Sequence, residues 1–429
     1  MSALTRRTFL ATTAAAGALT QMAPLILGAD EAPSRVVTVG VMGMSRGLSL
    51  AQTFGMLPGV RVKYVCDLDP KRVEAGKATI EKLECEPKQA PQGISDFRKI
   101  LDDPQVDALI CAAPNHWHAP AAIMACQANK HCYVEKPCCH NPWEGELLVA
   151  MSRKYNRAVQ MGNQRRSGPG FIEAMQRLHD GVIGRVYLSK CWYTNIRPTI
   201  GTGVPAPVPE GLDYAMWQGP APHQEFRSNF LHYNWHWFWH WGNGELGNNG
   251  IHSLDIGRWG LNADYPIRVT SSGGRYRFKD DQQTPDTHTV CFEFDGGRQM
   301  IWEGRSCNQH DDRFVTFYGE TGTLEIDASG TYRIYDINDK ETEKVAKSYN
   351  DAMHAANFIA AIRNDTPLAL NSEIEGGYKS TLLCHLGNIA HRTGHTLNCD
   401  PANGRILNDE AAMALWKREY AKEWTPKES

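Results

Sequence analysis

Two short segments carry the residue types best suited to chemistry. Pro114-Asn115-His116-Trp117-His118 and Glu135-Lys136-Pro137 each close a run that reads as a strand, 106–114 and 131–137. In open α/β sheets, ligands collect beyond the carboxyl ends of the strands. A lysine fixed there between an acid and a proline can meet a reacting carbon without becoming a flexible surface charge. Partial loss of water around it pulls its pKa down toward the range of a working acid or base. A solvated surface charge is the plain alternative for Lys136, and its place at a strand end argues against it.

A third segment, Gly40-Val-Met-Gly43-Met-Ser45-Arg46-Gly47, follows the β-branched run 35–41. A glycine-rich turn opening a helix lets backbone N–H groups approach a pyrophosphate. The spacing departs from G-x-G-x-x-G: Ser45 stands at the second glycine position, and Gly47 comes one residue early. The next strand, 60–67, ends in Asp67, twenty-four residues after Gly43. An acid there accepts bonds from both ribose hydroxyls of an adenosine and repels a 2′-phosphate, which favours NAD. Lys71 and Arg72 keep NADP possible.

His232-Tyr-Asn-Trp-His236-Trp237-Phe-Trp-His240-Trp241 is unusual in composition. Histidines at i, i+4 and i+8 could form a metal face on a helix, but the glutamate of a catalytic-zinc helix is missing. We expect no metal. Trp rings that stack on sugar C–H faces, with His236 and His240 as polar partners, are one reading of this run; ordinary packing is another.

The elements that must position these residues alternate. Strands at 35–41, 60–67, 106–114, 131–137 and 158–164 are separated by helical patterns, one starting after Pro70 and one capped by Ser95. That alternation predicts parallel βαβ units and a doubly wound α/β sheet. From about residue 185 the pattern becomes strand after strand with DGG and GETG turns, which predicts an α+β second domain with a large, mostly antiparallel sheet. Residues 198–222 read as an ordered surface loop. The expected organisation is 1–29 leader, 35–160 dinucleotide-binding domain and 161–429 second domain.

The chain has 429 residues and a formal net charge of −3, with no run of like charge, so no nucleic-acid partner is expected. Arg6-Arg7 ahead of the small, apolar stretch 11–28 reads as a twin-arginine signal, which predicts export to the periplasm or beyond by machinery that carries folded proteins. An exported enzyme cannot draw on a cytoplasmic dinucleotide pool and must keep its cofactor bound. Twelve cysteines at scattered spacings read as small core residues, with no disulfide framework and with Cys138-Cys139 as packing.

With GNQRRS (162–167) and GELGNNGIHSLDIGRW (244–259), these segments make the chain resemble the Gfo/Idh/MocA family of dinucleotide-dependent oxidoreductases over residues 35–429. The resemblance implies action on a sugar or polyol, a homo-oligomer, and an active-site lysine that maps to Lys136. It also implies a catalytic histidine at His252, with an acid four residues earlier. That position is Asn248 here, which can orient a substrate but cannot act as a base. On this mapping His252 or Lys136 takes a hydroxyl proton, and Asn115 and Glu135 contact the nicotinamide ribose, with His118 nearby. Arg165 and Arg166 hold substrate or close an ion pair, and Asp255 is a substitute carboxylate or a structural salt-bridge partner. Some relatives cleave glycosides through transient oxidation, and an idle binding protein on the same fold is the third reading.

Overall fold

The computed structural model describes residues 35–310 and 313–427; the expected leader lies outside them. The first sheet is built from β1 (Val37–Met42), β2 (Val60–Cys66), β3 (Gln92–Ile94), β4 (Ala108–Cys111), β5 (His131–Val134) and β6 (Val159–Met161). Its order is β3-β2-β1-β4-β5-β6, all parallel. Every residue of β1 and β4 is buried, as strands covered on both faces must be. The strand order reverses between β1 and β4, and a cleft opens there at the carboxyl ends.

Helices cross between these strands: α1 (Arg46–Gly55), α2 (Pro70–Ile80), α3 (Arg98–Asp102), α4 (Asn115–Gln127) and α5 (Pro142–Lys154). Asp69 caps α2 by accepting from Lys71 N, and Pro70 fills its first turn. Ser95 does not cap α3. Asp96 takes that place, accepting from Arg98 N at 3.0 Å, because its carboxylate also reaches the Arg98 guanidinium at 2.6 Å.

Next in the chain come α6 (Pro169–His179), β7 (Val186–Ile196), α7 (Tyr214–Gln218) and α8 (Ile251–Gly260). The strands β8 (Arg268–Gly274), β9 (Thr287–Phe294), β10 (Arg298–Arg305), β11 (Cys307–Asn308), β12 (Val315–Gly319), β13 (Gly322–Ile326), β14 (Tyr332–Asp336) and β15 (Glu341–Val345) follow. After them come α9 (Asp351–Arg363), α10 (Ile374–Thr393), β16 (Leu397–Asn398) and α11 (Glu410–Met413). The second sheet has ten strands and is mostly antiparallel, with β7 and β10 running parallel at its centre. Helix α8 lies very close to it. A Cβ on Gly257 would sit 2.6 Å from Cys191 Sγ, and one on Gly260 would sit 2.3 Å from the Phe317 ring. Glycine at both positions therefore fixes the depth of α8, and with it His252 in the first turn.

The loop read over 198–222 contains α7, whose Asp213 cap accepts from Met216 N. Tyr214 and Trp217 join Phe226, Phe230, Trp235, Phe238 and Trp241 in a separate aromatic core. Helix α9 packs Ala355, Phe358, Ile359 and Ile362 into the same core as β1, β2 and α1. All twelve cysteines are free, and Cys138 and Cys139 are fully buried.

His354, in α9, ties two distant segments together. Its ring nitrogens meet Ser167 Oγ at 2.7 Å and Met161 O at 2.9 Å, and burial holds its pKa down at about 4. The unfolded chain binds a proton at this position below about 6.5, and the folded chain only near 4. Stability is therefore complete above that window and falls as pH drops through it, by on the order of 3 kcal/mol for one fully buried group. Calorimetric melting at a series of pH values from 7 to 4 should show this loss, and His354→Gln should flatten the slope.

Candidate active site

A cavity of about 370 Å³ fills the cleft at the ends of β1, β2, β4 and β5. At one end lie Gly43, Ser45 and Asp67. Gly43 adopts φ +88°, and a Cβ there would stand 2.6 Å from Ala112 O, so the turn requires glycine. Asp67 Oδ2 accepts from Met44 N at 2.7 Å, which clamps the turn to the end of β2. Helix α1 starts at Arg46 with no side-chain cap and no acid in its first turn. Its leading N–H groups and positive dipole end are left for an anion. Asn115 also faces the cavity, and its buried Oδ1 has no partner. A capless helix start, an acid at the end of β2 and an orphaned amide oxygen fit a dinucleotide.

Gly40 and Gly47 play a different part from the one expected. Neither lines the cavity. Gly40 lies within β1, where its missing Cβ makes room for Ile100, and Gly47 lets α1 close on Val41 and Ala112. Arg46 does line the cavity, bonded to Glu135 at 3.2 Å and to Asp351 at 2.6 Å, and these carboxylates hold its pKa high. His118 lines it too, but its Nδ1 meets Pro137 O at 2.6 Å and its Nε2 meets Ala113 O at 2.7 Å. Both nitrogens are spent joining the ends of β4 and β5, so the ring offers a ligand no free polar atom.

Glu135, Lys136, Gln164, Asn248 and His252 meet at the other end of the cavity. Gln164 Nε2 donates to Glu135 Oε1 at 3.0 Å. Lys136 Nζ donates to Asn248 O at 2.7 Å and lies 3.4 Å from Asn248 Oδ1. Burial lowers the Lys136 pKa, against the pull of Glu135. His252 is held well below its ordinary pKa, first by burial and then by the positive charges of Arg165, Lys136 and Arg46. Its Nδ1 is buried without a partner, so a neutral imidazole waits beside the lysine.

Asn248 sits in a π-helical turn, Leu246–Gly250, that leads into α8. The wider turn is a common device for aiming side chains at functional sites. The two ends of the Asn248 amide face opposite partners: Oδ1 faces Lys136, while Nδ2 faces Glu245 Oε1 at 3.4 Å and Tyr233 Oη at 3.3 Å. Glu245 is buried and paired with Arg197 at 3.1 Å. An aspartate at 248 would oppose that carboxylate, which gives the amide a physical reason.

Residues 212–236 roof the cleft with Leu212, Met216, Trp217, Tyr233, Trp235 and His236. Only part of the aromatic run faces the cavity. His236 does, with burial holding its pKa at about 3. The run forms a short 3₁₀ turn, Asn234–Trp237, rather than a helix, so its histidines diverge. Trp237 is buried away from the cavity, under the Arg197 guanidinium. His240 points into a separate cavity, its Nε2 against Pro222 O at 2.7 Å. Arg166 and Asp255 also leave the site. They form a bidentate pair at 2.8 Å, completed by Ser380 Oγ on Asp255, which pins α8 to α10. Arg165 stands apart from that pair and near His252.

Glu245, Gln164, Tyr233 and Asp351 escaped the sequence reading. Glu245 and Gln164 lie inside the quoted GELGNNG and GNQRRS segments and could have been weighed there. Asp351 reaches Arg46 across 305 residues of chain, and no local signal marks it.

Two family models match the chain: an oxidoreductase-family NAD-binding Rossmann fold over residues 34–163, and an oxidoreductase-family C-terminal alpha/beta domain over residues 200–426. Both models belong to one oxidoreductase family, the first domain described as NAD-binding. The chain belongs to the GFO/IDH/MocA oxidoreductase family. A glycosyl hydrolase family 109 protein of Saccharopolyspora erythraea is 33% identical over 201 residues, 42% of this chain and 44% of that protein. Inositol 2-dehydrogenase of Salmonella typhimurium is 29% identical over 151 residues, 35% of this chain and 42% of that protein. The chain thus matches less than half the length of these curated relatives. The WlbA dehydrogenase of Bordetella pertussis, solved with NADH and UDP-GlcNAcA, shares the fold with a TM-score of 0.63 at 17% identity, over 85% of this chain and 99% of that one.

Asn248→Asp would place a carboxylate about where Oδ1 now lies, 3.4 Å from Lys136 Nζ. An opposite charge favours the ammonium, so the Lys136 pKa should rise. A pH profile of kcat/KM should show its alkaline limb, set by loss of the Lys136 proton, moved upward by about one unit, with a lower plateau from repulsion by Glu245.

Proposed function

We propose that this protein oxidises a secondary alcohol of a sugar or polyol with an NAD that it does not release. The observation that carries this reading is the pairing of Lys136 with an unprotonated, partnerless His252 at one end of a roofed dinucleotide-shaped cleft. A bound nicotinamide supplies the hydride acceptor. The neutral His252 imidazole accepts the hydroxyl proton through the part of its ring that faces the cleft, while Lys136 Nζ, steadied by Asn248, holds the alcohol oxygen and stabilises the charge developing on it. Glu135 and Asn115 orient the nicotinamide half, and Asp67 holds the adenosine ribose. The roof of Trp217 and Trp235 excludes water and slows cofactor loss.

The named relatives support this class of substrate: one acts on inositol, and WlbA was solved with NADH and a sugar nucleotide. Asp67 favours NAD, while Arg72 on the same wall keeps NADP within reach. Export in folded form through the twin-arginine route suits a retained cofactor, which a second sugar would reoxidise. The sheet face opposite α8, with half-exposed Lys190, Ile301 and Glu303, suits pairing with a second copy. A second reading, glycoside cleavage through transient oxidation with no net change in NAD, is favoured by the 33% identity to a family 109 glycosyl hydrolase.

Mass spectrometry of small molecules released on denaturing the protein should find NAD(H) in stoichiometric amount. NADP(H) would overturn the reading of Asp67, and no dinucleotide would overturn the redox assignment. Lys136→Ala should keep the dinucleotide and lose roughly 10²–10⁴-fold in kcat. Net NADH on adding sugars supports the dehydrogenase; glycoside cleavage without NADH supports the second reading.

A further inference from the structure

His252 forms a wall of two cavities. Behind it, away from the roofed cleft, lies a second space of about 620 Å³ bounded by Arg165, Trp192, Tyr193, Asn249 and Phe314, and by the strands β12 to β14. The large size of this space and its position behind the proton acceptor suit the part of a substrate that does not react. Its aromatic walls suit the C–H faces of a sugar ring.

The charges near His252 are unevenly matched. Arg46 is neutralised by Glu135 and Asp351, Arg166 by Asp255, and Arg197 by Glu245. Farther along the second cavity, Arg313 faces Glu325 at 3.9 Å and Arg333 faces Glu341 at 3.4 Å. Arg165 has no carboxylate partner among the described residues. Its Nε donates to Ala328 O at 3.2 Å, and its guanidinium lies 4.7 Å from the centre of the Phe314 ring. Neither contact balances its charge, and burial lowers its pKa, a fall that Tyr349 and the more distant Asp351, already bonded to Arg46, only partly offset. Asp327, on the same wall, is occupied by its own exposed turn, its Oδ1 accepting from Ser329 N at 2.8 Å and Thr331 N at 3.1 Å. An arginine on a cavity wall with no carboxylate bonded to it is free to take an anion from a ligand.

We propose that the substrate is an acidic glycoside or oligosaccharide, with the ring to be oxidised at His252 and Lys136 and an anionic group on the neighbouring unit held by Arg165 in the second cavity. This rests on the oxidoreductase reading and names the substrate class for it. A carboxylate or a sulfate ester meets the requirement, since both take paired N–H donors from a planar guanidinium.

The test uses dinucleotide-loaded protein. Uronate-containing disaccharides are compared with their carboxyl-reduced forms, and sulfated disaccharides with their desulfated forms. Reduction of the bound dinucleotide is followed by absorbance and binding by titration calorimetry. Acidic members should be preferred, and added salt should erode that preference. Arg165→Gln should lower the acidic-over-neutral ratio of kcat/KM, and of affinity, by about 10- to 100-fold, and Arg165→Lys should restore part of it. Preference confined to uronates or to sulfates identifies the anion, and either supports the assignment. Equal use of charged and neutral members, or a ratio unmoved in Arg165→Gln, overturns it while the oxidoreductase reading stands. Failure of every sugar to reduce the dinucleotide overturns both. The salt dependence of the unaltered protein decides the matter should Arg165→Gln not fold.

Discussion

A lysine held out of bulk water where two sheets meet sets terms for everything around it. Desolvation weakens the charged form of Lys136, and the structure answers with a carbonyl and an amide oxygen from one residue rather than with a full ion pair. The adjacent Glu135 is drawn the other way, toward Arg46 and Gln164. Acid and base neighbours in sequence are thus kept from neutralising each other, and the lysine remains available for proton chemistry. Strand β5 delivers both residues, the π-turn delivers Asn248, and α8 delivers His252. The depth of α8 in turn depends on two glycines against the second sheet.

The same logic explains the missing aspartate. Glu245 already places a buried carboxylate beside Asn248, compensated by Arg197. A second carboxylate would need a second cation. An amide, with an acceptor end for the lysine and a donor end for the glutamate, satisfies both neighbours without adding charge. The departure from the family pattern therefore reads as a redistribution of charge within one turn of helix.

How much of this was legible in the sequence depended on range. Strand alternation, the change to an antiparallel pattern near residue 185 and the strand-end placement of Asn115, Glu135 and Lys136 are local signals, and they predicted the architecture and much of the cleft wall. The sequence left Arg166 and Asp255 open between substrate contact and an ion pair, because the choice is made by contact between the 164–167 turn and α8 across 89 residues. The aromatic run misled for a related reason. Its composition suits a sugar-binding wall, yet Trp241 is fully buried in a local core, Trp237 lies under Arg197, and His240 is turned to another cavity. Gly40 and Gly47 share the spacing of the turn, yet their neighbours Ile100, Val41 and Ala112 give them a packing role.

Helix α9 bears on the order of events at the ribosome. The core around β1, β2 and α1 includes side chains of α9, which is made only long after those elements, close to the far end of the second domain. The first half of the chain cannot seal its hydrophobic interior during synthesis and must wait for its distal part, a high-contact-order arrangement that folds slowly and leaves apolar strands open in the meantime. Closure of the first sheet's interior is consequently a late step of folding, one that follows the synthesis of α9.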